Sequence, residues 1–206
     1  MDFGSGTQIL SLLLNSQYNC FVDSVEISKS IVENGLKYFE DIHKNCSDKL
    51  KIIIDDNFFK NSKNKYNVIT MIHVLEHLNN LDIIKYLYEM LDHGGKLIIE
   101  VPNENDIMLK ISEKYKNIMY QIHHLSYFNE EAFKKLFKIL NIKNYKTYYY
   151  HRYDNIKNFL GFVLDKPITS CVGDPSTSDD DLQSFWLNSM VEKKCTDCMT
   201  VVIFKE

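Results

Sequence analysis

The chain has 206 residues, 45% of them hydrophobic and 25% charged, which suits one globular domain with enough chain for a single large core. Its formal net charge of -4 gives no overall attraction to nucleic acid or to an anionic membrane. No apolar run approaches the ~20 residues of a membrane span and no secretory signal opens the chain, so a soluble cytoplasmic protein without membrane or nucleic-acid partners is expected.

The first stretch, Met1 to Glu26, reads as a cradle for a nucleotide-containing cofactor. A glycine-rich turn (Asp2, Phe3, Gly4, Ser5, Gly6, Thr7) leads into an apolar helix from Thr7 to Asn15, and then into a strand ending on Glu26. Gly4 and Gly6 allow a tight turn to which a ligand can come close. The helix would point its free N–H groups at that ligand. An acid about 20 residues past the glycines is where α/β folds hydrogen-bond ribose hydroxyls. The dinucleotide fingerprint GxGxxG needs a third glycine at position 9, where Ile9 stands, so a nicotinamide oxidoreductase is disfavoured. The plain alternative is a glycine turn between strand and helix that binds nothing.

Ser28 to His43 carries Val32, Leu36, Phe39 and His43 at helical spacing, with Gly35 a mild cost inside it. Lys51 to Ile54 reads as a β-branched strand that stops at Asp55 and Asp56, and Tyr66 to Ile72 as the next strand. A helix from Asn80 to Leu91 should end at Gly94-Gly95, followed by a strand from Lys96 to Val101 closed by Pro102. This alternation predicts an α/β, Rossmann-like, mainly parallel sheet with helices on both faces. Such a sheet binds its ligand at the carboxyl ends of its strands. Five polar stretches fall there: Asp2 to Gly6, Glu26, Asp55 to Asn57, His73 to His77 and Pro102 to Asn105.

Beyond Pro102 the pattern changes to a polar, helical stretch up to Lys116 and then an amphipathic helix from Glu130 to Leu140, with Phe133, Leu136, Phe137 and Leu140 on one face. The aromatic strand Asn144 to Tyr150 and the final strand Met199 to Phe204 should form an antiparallel C-terminal edge pair. Between them lies an insertion, residues 160–195, with the acidic run Asp179 to Asp181 and a helix near Leu182 to Val191. The five cysteines are scattered and suggest no disulfide framework. Cys195 and Cys198 have CxxC spacing but no second pair or paired histidines, so they are read as strand and approach to it.

Three blocks in chain order, YNVITMIHVLEHL, LDHGGKLIIEVPNEND and HHLSYFNEEAFKKLF, resemble one subgroup of the class I S-adenosylmethionine-dependent methyltransferases. DFGSGT with Glu26 downstream is similar to that family's first motif and acidic loop. The tail segments HRYDNIKNFLGFVLDKP and CTDCMTVVIFKE resemble relatives associated with sugar and surface-polysaccharide modification. The resemblance spans nearly the whole chain as one domain, 1–206. It departs at Asn67, where the family usually has Asp, and at Gln8, where the motif often ends in Gly. Family members also carry a leading helix and a full first strand before the glycine loop, so the first strand is expected to be largely missing, as in a truncated product.

The resemblance implies S-adenosyl-L-methionine as cofactor and a small-molecule or sugar acceptor, methylated on oxygen. It places the aminocarboxypropyl group on Gly4 and Gly6 with Asp2 near its ammonium, both ribose hydroxyls on Glu26, and the adenine amino group on Asp56 or its neighbour Asp55. His73 joins the cofactor-binding residues. A hydroxyl acceptor needs a base, and His124 is first choice with His123 beside it, His73 and His77 also overlooking the pocket. No metal cluster, nucleophile elbow or P-loop is evident in the sequence. The competing class is non-catalytic: a degenerate fold that binds cofactor weakly or serves as a partner subunit.

Overall fold

The computed structural model describes residues 1–55, 57–58, 62–150 and 180–206. Seven strands form one sheet: β1 (Asp2–Phe3), β2 (Val22–Glu26), β3 (Leu50–Ile54), β4 (Tyr66–Ile72), β5 (Leu91–Pro102), β6 (Tyr145–Tyr150) and β7 (Cys198–Phe204). Their order is β3-β2-β1-β4-β5-β7-β6. The first five run parallel, whereas β7 is antiparallel to both β5 and β6. The expected architecture and its antiparallel edge pair are therefore present. β1 is two residues long and central, with Asp2 opposite both Ser24 and Thr70.

The helices are α1 (Ile9–Tyr18), α2 (Lys29–Tyr38), α3 (Glu40–His43), α4 (Ile83–Glu89), α5 (Met108–Ile111), α6 (Glu113–Met119), α7 (Glu130–Ile139) and α8 (Asp180–Glu192), with a 3-10 turn at Leu75–His77. Adjacent strand residues face opposite sides of a sheet. In β2, Ser24 bonds Gln8 at the head of α1, whereas Val25 joins the core that contains Ile84 and Leu87 of α4. Thus α1 and α4 cover opposite faces.

The main core is built by period-two positions of the sheet, Ile69 and Met71, Leu97, Ile99 and Val101, Val201 and Ile203, against α4 and α7. From α7, the buried Phe133 and Phe137 continue an aromatic row from Phe128 to Tyr145, with ring centroids 5.0, 5.3 and 4.6 Å apart. The Asn129 side chain caps α7 by accepting from Ala132 N–H at 2.9 Å, and Glu130 and Glu131 lie in its first turn, where a helix favours negative charge.

Two element boundaries differ from the sequence reading. The helix expected over 28–43 divides at Phe39 into α2 and α3. The helix before β5 stops at Glu89, and Gly94-Gly95 lies inside the irregular opening of β5 instead of capping the helix. There Gly94 N–H donates to the Lys205 carbonyl and Gly95 accepts from Lys205 N–H, so a pairing with the end of the chain claims the glycines. Residues 151–179, which include Cys171 and the first part of the insertion expected over 160–195, lie outside the described residues; α8 begins at Asp180.

Candidate functional site

A cavity of about 880 Å³ opens at the carboxyl ends of β1, β2, β3 and β4. Gly4, Gly6, Glu26, Asp55 and His73 line it, together with the polar side chains of His77, Asn79 and Asn80. The rest is largely apolar, with Phe3, Ile31, Val74, Leu78 and Tyr86 among its walls.

The glycine loop is fixed from three sides. Gly4 has φ +70, its N–H donates to the Val25 carbonyl at 2.8 Å, and a Cβ there would overlap the Val74 side chain, so both conformation and contact require glycine. On the second side Gly35 of α2 packs against Thr7, where any Cβ would run into the Thr7 carbonyl. The helix-interior glycine that looked like a small flaw thus lets α2 approach the loop backbone. Third, Gln8 is fully buried in the left-handed region at φ 72. Its amide donates to Ser5 Oγ at 2.8 Å and to the Gly6 carbonyl at 3.0 Å, and its oxygen accepts from Ser24.

Glu26 sits at the end of β2 with 9% of its surface exposed. Its Oε2 accepts from Gly6 N–H at 2.8 Å, while Oε1 accepts from Ile27 and Ser28 N–H at 2.9 and 3.0 Å. A carboxylate has about four acceptor positions, so one remains open in this conformation, on Oε2.

Asp2 is placed differently from the sequence reading. It is buried away from the cavity wall and accepts from Ser11 Oγ at 2.7 Å and Thr70 Oγ1 at 2.8 Å, tying β1 to α1 and β4. Burial pushes its carboxyl above the usual range, and the two hydroxyl bonds pull the other way. In this conformation Asp2 points into the helix layer, because residues before the turn alternate faces. Asp55 accepts from Asn57 N–H at 2.8 Å in a local turn at the cavity. Asp56 lies outside the described residues. Pro102 to Asn105 does not join the wall; Asn103 is buried and donates to the carbonyls of Lys194 and Thr196, holding the approach to β7.

The HVLEH turn and the HHLSYF segment meet because the Glu76 carbonyl accepts from Leu125 N–H at 2.7 Å and from Ser126 N–H at 3.2 Å. His73 has φ 52, and its two ring nitrogens face Glu76 at 3.2 Å and Glu100 at 3.0 Å. His123 and His124 do not line the cavity themselves. They pack on His77, which does, with ring centroids 5.1 and 4.8 Å away. Burial, followed by the neighbouring His77, holds the His124 imidazole below the usual histidine range, so it stays neutral at physiological pH.

The family described as "Methyltransferase domain" matches residues 1–147. The chain belongs to this family. It is a methyltransferase. Solved structures of the same fold include a SAM-dependent methyltransferase from Archaeoglobus fulgidus, with TM-score 0.60, 15% identity, and coverage of 99% of this chain and 84% of that one. A second is phosphoethanolamine N-methyltransferase 2 from Haemonchus contortus in complex with S-adenosyl-L-methionine, with TM-score 0.58, 16% identity and 99% coverage of this chain, which spans only 47% of that one. A third, a SAM-dependent methyltransferase from Thermotoga maritima, gives TM-score 0.56 at 13% identity, covering 100% of this chain and 80% of that one. No curated protein matches the sequence.

The methyltransferase pocket fits such a cofactor on its own geometry. A Cβ added at Gly6 would meet nothing within 4 Å, so the loop backbone faces open space there. Glu26 keeps one acceptor position beside it, and the apolar walls and volume suit a nucleoside-sized ligand. Sequence reasoning missed Leu78, Asn79, Asn80, Ile83 and Tyr86 on the methyltransferase's pocket wall. Leu78 closes the HVLEHL block, and the other four belong to no motif. Ile31 had one signal, standing beside the apolar face of α2 instead of on it, and it too lines the cavity.

Proposed function

We propose that this methyltransferase transfers a methyl group to a hydroxyl of a small molecule or sugar. The observation that carries the proposal is one continuous wall: the glycine loop and Glu26, which suit the cofactor, share a cavity with His77, whose ring touches the neutral imidazole of His124. S-adenosylmethionine supplies an electrophilic methyl on sulfur, so transfer needs in-line placement and exclusion of water more than covalent help. Gly4 and Gly6 would seat the aminocarboxypropyl group, Glu26 one ribose hydroxyl, and Asp55 the adenine amino group. Phe3, Val74 and Leu78 keep the space around the reacting atoms dry. A hydroxyl must lose its proton as it attacks. His124, held neutral behind His77, takes that proton by way of His77, the ring that lines the cavity.

The test is an acceptor screen with methyl-labelled S-adenosylmethionine against free sugars, nucleotide sugars, phenols and amines. Label should enter hydroxyl-bearing acceptors, with mass spectrometry locating the methyl on oxygen. Label on nitrogen alone would reject the hydroxyl reading.

A further inference from the structure

We propose that His77, His123 and His124 form a binding site for a divalent transition metal of the zinc class, with the Glu76 carboxylate beside it. Each of the three imidazoles offers one ring nitrogen, and these nitrogens lie within 4.8 Å of one another. The rings themselves are mutually in contact, with centroids 4.8 to 5.1 Å apart. No sequence spacing announces the group, since it joins a 3-10 turn to a loop 46 residues away through the two bonds to the Glu76 carbonyl.

The protonation pattern suits a metal. His77 Nδ1 lies 3.1 Å from the His123 carbonyl, and a carbonyl can only accept, so Nδ1 carries the proton and Nε2 keeps its lone pair. That is how a metal-binding histidine is commonly oriented. One further atom points to a ligand: His124 Nδ1 is buried without a hydrogen-bond partner among the described residues, and buried polar atoms are almost always satisfied. The buried Glu76 carboxylate adds negative charge near His124.

Ligand chemistry selects the metal. Neutral imidazoles suit zinc, cobalt or nickel, whereas magnesium and calcium prefer an all-oxygen shell. Three protein ligands leave a fourth, open position, the arrangement of reactive zinc sites. Tetrahedral binding at ~2.0–2.1 Å would bring the nitrogens to about 3.3 Å from one another, a contraction that ring rotation in the loop before Leu125 can supply. A second group of donors, His73, Glu100 and Cys198, is a weaker choice because both His73 nitrogens already face carboxylates. On the proposed reading of the cavity, a metal held by the three histidines would sit behind the wall that His77 lines and would supply Lewis-acid chemistry for an acceptor hydroxyl.

The full chain, stripped with chelator, is titrated calorimetrically with Zn²⁺ and with Co²⁺, and separately with S-adenosylhomocysteine. One equivalent of each metal should bind, Co²⁺ should give the intense visible bands of a tetrahedral site, and His77→Ala or His123→Ala should weaken binding at least about 10- to 100-fold. His93→Ala, an exposed histidine in the opening of β5, should leave binding unchanged. Retained S-adenosylhomocysteine binding shows that a variant is folded. Absence of saturable metal binding, or equal binding by the His77→Ala/His123→Ala double variant, overturns the inference even if S-adenosylhomocysteine binds. Metal binding without S-adenosylhomocysteine binding supports the metal site and sinks the cofactor reading alone.

Discussion

The Glu26 carboxylate accepts from three backbone N–H groups, those of Gly6, Ile27 and Ser28, before any ligand arrives. On the proposed reading, its chemistry is shared between holding the glycine loop and meeting a ribose. Charge-assisted bonds of this kind are stronger than neutral ones, so removing the carboxylate should act on both. Glu26→Ala is expected to weaken S-adenosylhomocysteine binding by about 1–3 kcal/mol and to lower unfolding free energy by a comparable amount. Glu26→Gln keeps a single acceptor oxygen, which can serve either Gly6 N–H or the Ile27 and Ser28 N–H groups while its NH2 faces the other donors, so it should recover only part of the stability and of the affinity. Calorimetry and urea midpoints on the two variants check this; a binding constant within twofold of the parent in Glu26→Ala would refute the ribose role.

At the scale of elements, the loop is shaped by what packs on it. α2 closes against Thr7 through Gly35, and β4 exits against Gly4 through Val74. Gly35→Ala should raise the intrinsic helix propensity of α2 and yet destabilise the protein, because the added methyl collides with rigid backbone. A loss of about 1–3 kcal/mol in a denaturant titration is expected, with weaker cofactor binding as the loop shifts. A stabilised Gly35→Ala protein would show that α2 can move away at no cost. In the same way, the Leu75–His77 turn and the segment before α7 act as one unit, since Glu76 joins them through its backbone while its side chain stays buried.

Across the whole molecule, Glu130 connects parts of the chain that are far apart in sequence. Its Oε2 accepts from Tyr149 Oη of β6 at 2.9 Å and from Lys194 Nζ, on the approach to β7, at 2.6 Å. Lys194, and then Tyr149, hold the Glu130 carboxyl below the usual glutamate range. A carboxylate with a lowered folded pKa stabilises the fold above its unfolded value of about 4.3 and loses that contribution as pH falls through the folded value. Since the group is partly exposed and screened, the contribution is about 0–1 kcal/mol. Glu130→Gln should therefore be slightly less stable at neutral pH, and the difference should shrink as pH falls below the unfolded value. An undiminished stability difference at the acid end would contradict this. Among the described residues no helix is long and apolar enough to cross a membrane.

Much of this was legible in the chain itself. Period-two and helical patterns are local, so β4, β7, α7 and the parallel alternation could be read directly, and the glycine turn with Glu26 marked the cavity rim. Gly94-Gly95 misled because a helix stop and a strand irregularity both call for glycine, and the choice was made by the pairing with Lys205. Side-chain commitments were decided only by tertiary contact. Asp2 turned into the helix layer because Ser11 and Thr70 meet it there, and Glu26 spent three acceptor positions on its own loop. The three histidines became a cluster because a turn at 75–77 and a loop at 123–126 share one carbonyl. Periodicity records which face a residue takes, but not which distant segment arrives opposite it, and the chemistry of this site depends on that arrival.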